Sequence, residues 1–133
     1  MRVFLDTNVV VAAFISRGTC SQLFEECLDA HEILLSEQVF AEFSKTLLRK
    51  LKFTGSRVDE ALVFLRSSCT AVPIPKDIPK VCRDESDNPI VAAAKAAEAH
   101  CLISGDPDLL ELHPYQGMPI LKPSDFWRFA ASG

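Results

Sequence analysis

The sequence predicts an α/β fold with a parallel sheet covered by helices on both faces. Two observations point there. Short apolar runs of strand character alternate with longer stretches whose apolar residues recur at helical spacing. That alternation is the pattern of a parallel sheet whose strands are joined through helices. In addition, two of the strand-like runs, Val3–Leu5 and Leu102–Ser104, are followed within one or two residues by an acid, Asp6 and Asp106. In open α/β sheets ligands bind in the crevice outside the carboxyl ends of the strands, which is where such acids fall. The length, 133 residues, fits one domain spanning residues 1–133.

Taken in order, Arg2–Leu5 is a buried strand, and the apolar residues Val9–Ile15 begin a helix after a short polar loop. Ser16-Arg17-Gly18-Thr19 breaks it. Thr19 or Ser21 is then expected to cap a second helix with Leu23, Phe24, Cys27 and Leu28 on its inner face. Glu32–Leu35 is a second strand, and Ser36 is a candidate cap for a helix from about residue 37 to 49. Val39, Phe40, Phe43, Leu47 and Leu51 form the apolar stripe of that helix, with Glu42 at its border. Residues 50–55 are expected as a linker, and residues 58–67 as a helix facing inward through Val58, Leu62 and Leu65. Thr70–Ile74 is extended, and Pro73 places it at a sheet edge.

Residues 82–88 form a polar loop. Pro89 suits the first turn of an alanine-rich helix (residues 90–99), with Asp87 or Asn88 as its cap. Cys101–Ser104 is a buried strand, Gly105–Asp108 a turn, and Leu109–Leu112 a short helix. Pro119–Leu121 is a last strand and Ser124–Phe129 a last helix, whose Phe126, Trp127 and Phe129 are expected in the core.

Composition narrows the class. Apolar residues make up 48% and charged residues 24%, as in soluble globular proteins. The longest apolar run, Val9–Ile15, is too short for a bilayer, and the N-terminus lacks a signal-peptide pattern, so no membrane role is expected. Cys20, Cys27, Cys69, Cys82 and Cys101 form no C-x-x-C pair, which argues against zinc and thiol-redox motifs. Free thiols point to a reducing, cytoplasmic setting. The net charge of −4 excludes a protein coated with positive charge, but not an enzyme acting on nucleic acid. Were four acids neutralised by two divalent cations, the remaining charges would balance and phosphate could approach.

Four acids make the candidate site: Asp6 and Asp106 at strand ends, Asp87 before the alanine-rich helix, and Glu42 on a helix flank. Asp84 and Asp108 are satellites. Two carboxylates about 5 Å apart repel by roughly 3 kcal/mol at an effective dielectric of about 20. Four together need a cation or shifted pKa values, and all-oxygen sites suit Mg²⁺ or Mn²⁺. Taken singly, each acid has a structural alternative. Asp6 and Asp106 could serve turns, Asp87 could cap a helix, and Glu42 could pair with Lys45 or Arg49. Arg49, Lys50, Lys52 and Arg57 place four basic residues within nine, either as a phosphate-contacting patch or as a solvated linker. His31, His100 and His113 show no ligand spacing and no obvious partner.

Leu5-Asp6-Thr7-Asn8-Val9 resembles the opening motif of PIN-domain nucleases. Arg83-Asp84-Glu85-Ser86-Asp87-Asn88, the alanine-rich helix, and Leu102-Ile103-Ser104-Gly105-Asp106-Pro107-Asp108 resemble the second half of that family. Pro119–Phe126 is similar to the end of its VapC-like members, toxins of toxin–antitoxin pairs. The resemblance implies a three-layer α/β/α sandwich and a ribonuclease using one or two Mg²⁺ or Mn²⁺ ions. Carried over by position, Asp6, Glu42, Asp87 and Asp106 are the expected metal-binding and catalytic acids. Asn8, Asp84, Ser104 and Asp108 are accessory positions. An RNA substrate, an antitoxin partner and a homodimer are the implied partners. A PIN fold that binds RNA or protein without cutting is the alternative. A phosphatase of the haloacid-dehalogenase type also starts with a strand ending in Asp. It needs a second acid two residues on, where this chain has Asn8.

Overall fold

The structure, a computed structural model, describes residues 1–132. Five parallel strands form one sheet in the order β3-β2-β1-β4-β5. They are β1 (Arg2–Leu5), β2 (Glu32–Ser36), β3 (Thr70–Val72), β4 (Cys101–Ile103) and β5 (Ile120–Leu121). Helices α1 (Thr7–Ile15) and α2 (Thr19–Ala30) connect β1 to β2, and α3 (Glu37–Lys45) and α4 (Gly55–Ser68) connect β2 to β3. The chain then crosses back to the other side of β1 through α5 (Asn88–Ala96) and enters β4. Helices α6 (Pro107–Leu110) and α7 (Phe126–Ser132) flank β5. The result is the α/β/α sandwich expected, and no helix among the described residues is long and apolar enough to cross a membrane.

The strand order reverses between β1 and β4, so a topological switch point opens at their carboxyl ends. Both strands are central, and Val3, Phe4, Leu5, Cys101, Leu102 and Ile103 are all buried. This explains why they read as continuous apolar runs rather than alternating ones. Each such Leu, Ile or Phe side chain removed from water contributes roughly 1.5–3 kcal/mol, so the two strand ends are held by the most deeply buried part of the molecule. Pro73 follows β3 directly, and β3 is an edge strand, as its sequence required.

Several local expectations are corrected. The helix after Gly18 starts at Thr19 without any side-chain cap, so neither Thr19 nor Ser21 serves as one. Ser36 occupies the N-cap position of α3 but makes no capping bond, and its buried hydroxyl has no partner. α3 continues into a π-helical turn, Thr46–Lys50. The wider turn rotates Leu51 off the stripe of Val39, Phe40, Phe43 and Leu47, leaving it exposed while they are buried. α4 begins at Gly55, capped by Thr54, so the expected linker is shorter at both ends. α5 closes at Ala96, where Glu98 turns left-handed at φ 57°. Trp127, expected in the core, is 37% exposed, whereas Phe126 is fully buried and Phe129 packs, partly buried, against the core. The histidines do have partners. His100 and His113 accept backbone N–H groups of Arg2 and Ile120 through Nδ1, and His31 Nδ1 meets the terminal amine.

Candidate functional site

The parallel register pairs Leu5 with Ile103, which brings the residues that follow them, Asp6 and Ser104, side by side at the switch point. Asp6 N–H donates to the Ile103 carbonyl at 3.0 Å, extending the ladder by one residue. The Asp6 carboxylate is buried and accepts two hydrogen bonds: Thr7 N–H to Oδ1 at 2.8 Å, and the Ser104 hydroxyl to Oδ2 at 2.8 Å. Burial pushes the Asp6 carboxyl above the ordinary range, against the lowering effect of those two donors, and the charges of Asp106 and Glu42 add to the rise. Ser104 also accepts the Asp106 N–H at 3.0 Å. Asp106 in turn caps α6, its Oδ1 accepting the Asp108 N–H at 2.9 Å. The structural uses that sequence offered for Asp6 and Asp106 are thus real, and both residues still line the crevice.

Asp87 is different. Asn88 Oδ1 accepts the N–H groups of Val81 and Cys82, tying down the start of the loop. Asp84 caps the short 3₁₀ turn Glu85–Asp87 by accepting the Ser86 N–H and hydroxyl. Asp87 therefore stands at the N-cap of α5 with no capping bond to make, and neither it nor Asn88 serves as the cap expected. Its Oδ2 is buried without a hydrogen-bond partner. Desolvation, then the adjacent Asp106, push its carboxyl up to about 7. One carboxylate oxygen each from Asp87, Asp106 and Asp108 lies within 4.8 Å of the others.

Glu42 reaches the same place from α3. Its Oε1 accepts the Thr7 hydroxyl at 2.6 Å and its Oε2 the Gln38 amide at 3.0 Å. Among the described residues it pairs with neither Lys45 nor Arg49, and no ion pair involves Asp6, Asp87 or Asp106. Asp108, the third member of the carboxylate group with Asp87 and Asp106, does face a cation, Arg83 Nη1 at 4.0 Å.

These residues border a cleft of about 420 Å³ lined by Asp6, Asn8, Glu42, Asp84, Asp87 and Asp106 together with Arg49 and Lys50. Ser104 and Asp108 lie just behind it through their bonds to Asp6 and Asp106. Lys52 and Arg57 are not part of the lining. Lys52 turns left-handed after the π turn, and the Arg57 guanidinium stacks 4.4 Å over the Phe53 ring. Thr7, Lys45, Thr46 and Ser86 line the cleft and were not singled out from sequence as part of the site. Lys45, Thr46 and Arg49 stand one to two helical turns beyond Glu42. Helical spacing from Glu42 could have found Lys45 and Thr46, whereas the run of charges along the chain already pointed to Arg49.

The donor set fits a divalent cation. The buried, unpartnered Asp87 Oδ2 is an acceptor that protein groups leave unsatisfied, its neighbours are carboxylate oxygens, and hard oxygen donors suit Mg²⁺ and Mn²⁺.

Comparisons with known proteins agree with this architecture. A sequence comparison with curated proteins finds no match. Among solved structures, VapBC2 from Rickettsia felis bound to a DNA fragment from its promoter aligns with a TM-score of 0.65 at 16% identity, covering 92% of this chain and 98% of that one. A toxin–antitoxin complex from Klebsiella pneumoniae aligns at 0.65 and 20% identity, covering 91% and 97%. VapC20 of Mycobacterium tuberculosis, a sarcin–ricin loop cleaving toxin, aligns at 0.57 and 13% identity, covering 80% and 91%. At these identities the likeness is one of fold. The family model described as PIN domain matches residues 2–108, a span that runs from β1 through the acids after β4, and the chain belongs to the PIN domain family.

Proposed function

We propose that this protein is a divalent-metal-dependent endoribonuclease, the toxin of a toxin–antitoxin pair, with Asp6, Asp87, Asp106 and Glu42 as its metal-binding and catalytic acids. The observation that supports this most directly is Asp87 Oδ2, buried without a partner and set among the carboxylate oxygens of Asp106 and Asp108. An apolar core position would not keep such a group unless something else satisfied it. Membership of the PIN family, and the toxin–antitoxin complexes among proteins of similar fold, support the toxin reading and an antitoxin partner.

One or two Mg²⁺ or Mn²⁺ ions, held by Asp87, Asp106 and Asp6 with Glu42 and Asp108 at the margin, would supply Lewis acidity to the phosphate and to the attacking water. The chain's own groups do the rest. Ser104 and Thr7 fix the Asp6 carboxylate through its two oxygens. Asn8, exposed beside Asp6, offers an amide to the phosphodiester. Arg49, Lys50 and Lys45, in the same cleft, hold neighbouring phosphates, so that the scissile phosphorus faces the acids. Phosphodiester hydrolysis in this frame leaves a 3′-hydroxyl and a 5′-phosphate.

The test is cleavage of a panel of structured and single-stranded RNAs by purified protein with Mn²⁺, Mg²⁺ or EDTA, alongside Asp6→Asn and Asp87→Asn. Metal-dependent cleavage that both variants lose is the expected result. Cleavage that persists in EDTA or in either variant overturns the assignment, and RNA binding without any cleavage points to the non-catalytic module.

A further inference from the structure

We propose that Gln38 is a positioning residue that locks Glu42 and the Asp87 turn into one rigid unit; this rests on the nuclease reading above. Gln38 lies one helical turn before Glu42 on α3, so the two side chains share a face. Its amide nitrogen donates twice: to Glu42 Oε2 at 3.0 Å and to the Ser86 carbonyl at 2.8 Å. The first bond stays within α3. The second crosses to the 3₁₀ turn Glu85–Asp87, whose last residue is Asp87.

A primary amide is suited to this position. Its nitrogen has two protons, one for each acceptor. The reverse orientation would set the amide oxygen against a carboxylate oxygen and a carbonyl oxygen, so chemistry fixes which end points in. The amide also adds no charge. It orients Glu42 without neutralising it, which a lysine or arginine there would do. Together with the Thr7 hydroxyl on Oε1, it gives each Glu42 oxygen one donor and holds the carboxylate over the cleft, leaving lone pairs free for a cation. Nothing else among the described hydrogen bonds of Glu42 ties α3 to the turn that presents Asp87. Partners of this kind set ligand orientation, and their loss typically costs about 10–100-fold in metal affinity.

The experiment is calorimetric Mn²⁺ titration of the full chain for the parent, Gln38→Met, Glu42→Ala and the double variant. Hydrogen exchange of the metal-free proteins accompanies it, and Gln38→Ala is the second variant. The expected result is about tenfold weaker Mn²⁺ binding in Gln38→Met, no further loss when it is added to Glu42→Ala, and faster exchange at residues 84–87 with β1 and β4 unchanged. Parent-like Mn²⁺ affinity in both Gln38 variants overturns the proposal. So does an equal loss in the Glu42→Ala background, because Gln38 would then not act through Glu42. If the parent itself binds no Mn²⁺, the nuclease reading fails instead. The lock is then judged on exchange alone, and parent-like rates at residues 84–87 in Gln38→Met overturn it.

Discussion

Ser104 donates its hydroxyl to Asp6 Oδ2 at 2.8 Å across the junction of the two central strands. Because the same oxygen accepts the Asp106 N–H, one buried hydroxyl sets the spacing of two acids 100 residues apart in the chain. Ser104→Ala removes the donor that most opposes the upward shift of Asp6. It should destabilise the metal-free protein by about 1–3 kcal/mol at neutral pH, the usual cost of leaving a buried acceptor unmade. Urea denaturation at pH 8 and at pH 4 checks this. The cost should shrink at the lower pH, where a protonated Asp6 needs the donor less.

Asp87→Asn should make the metal-free protein more stable, not less. The folded-state value of about 7 lies above the ordinary 3.8, so the fold binds the proton more tightly than the unfolded chain does. Asp87 thus favours folding only while protonated. That contribution is full below pH 3.8 and is lost as pH rises toward about 7. Replacing the acid by a neutral isostere should raise stability by roughly 1–3 kcal/mol at pH 8 and by almost nothing at pH 4. Adding Mn²⁺ should reverse the order by stabilising the parent alone. Thermal melts with and without metal measure both effects, and a variant less stable than the parent without metal would contradict this picture.

The basic residues should separate into two groups. Arg49 and Lys50 line the cleft, while Lys52 and Arg57 do not. Arg49→Ala and Lys50→Ala should each weaken RNA binding and lower the slope of log affinity against log salt by about one unit. Lys52→Ala and Arg57→Ala should leave that slope unchanged. Binding titrations with a catalytically inactive Asp87→Asn background at several salt concentrations give the slopes.

Two helix ends are closed by non-glycine residues in the left-handed region, Lys52 at φ 57° and Glu98 at φ 57°. In both cases the next residue donates its N–H back into the helix, Phe53 to Leu47 and Ala99 to Ala94. Ala99 to Ala94 is the closure that favours glycine after a helix, and Phe53 to Leu47 is the same closure one residue longer, after the π turn. Lys52→Gly and Glu98→Gly should each stabilise by about 0.5–1 kcal/mol, since glycine avoids the Cβ penalty but loses more backbone freedom. Chemical denaturation reads the difference.

Capping offers a further contrast. Thr54 accepts the Arg57 N–H and caps α4, whereas the Ser36 hydroxyl bonds to nothing. Thr54→Ala should cost about 1 kcal/mol, and Ser36→Ala should cost less than about 0.5 kcal/mol or gain. Equal losses would mean that Ser36 does cap α3.

Sequence by itself determined the order of strands and helices, the parallel sheet, and the placement of Asp6 and Asp106 at one edge of it. The apolar runs of β1 and β4 can only be buried on both faces, and acids directly after such strands must fall at one edge of the sheet. Period and burial are local properties, so they were legible. Tertiary structure alone decided the rest. Asp87 could equally have been a helix cap. It became an unpartnered buried carboxylate because Asp84, three residues earlier, took over the capping of the turn. Glu42 could have paired with Lys45 or Arg49, but Thr7 and Gln38 hold it toward the cleft. The π turn after α3 turned Leu51 outward and left Lys52 off the cleft lined by Arg49 and Lys50. Each of these outcomes depends on which of several competing hydrogen-bond partners lies nearer once the helices have packed. Distances between chain segments remote in sequence settle that competition, and no local pattern of residues encodes them.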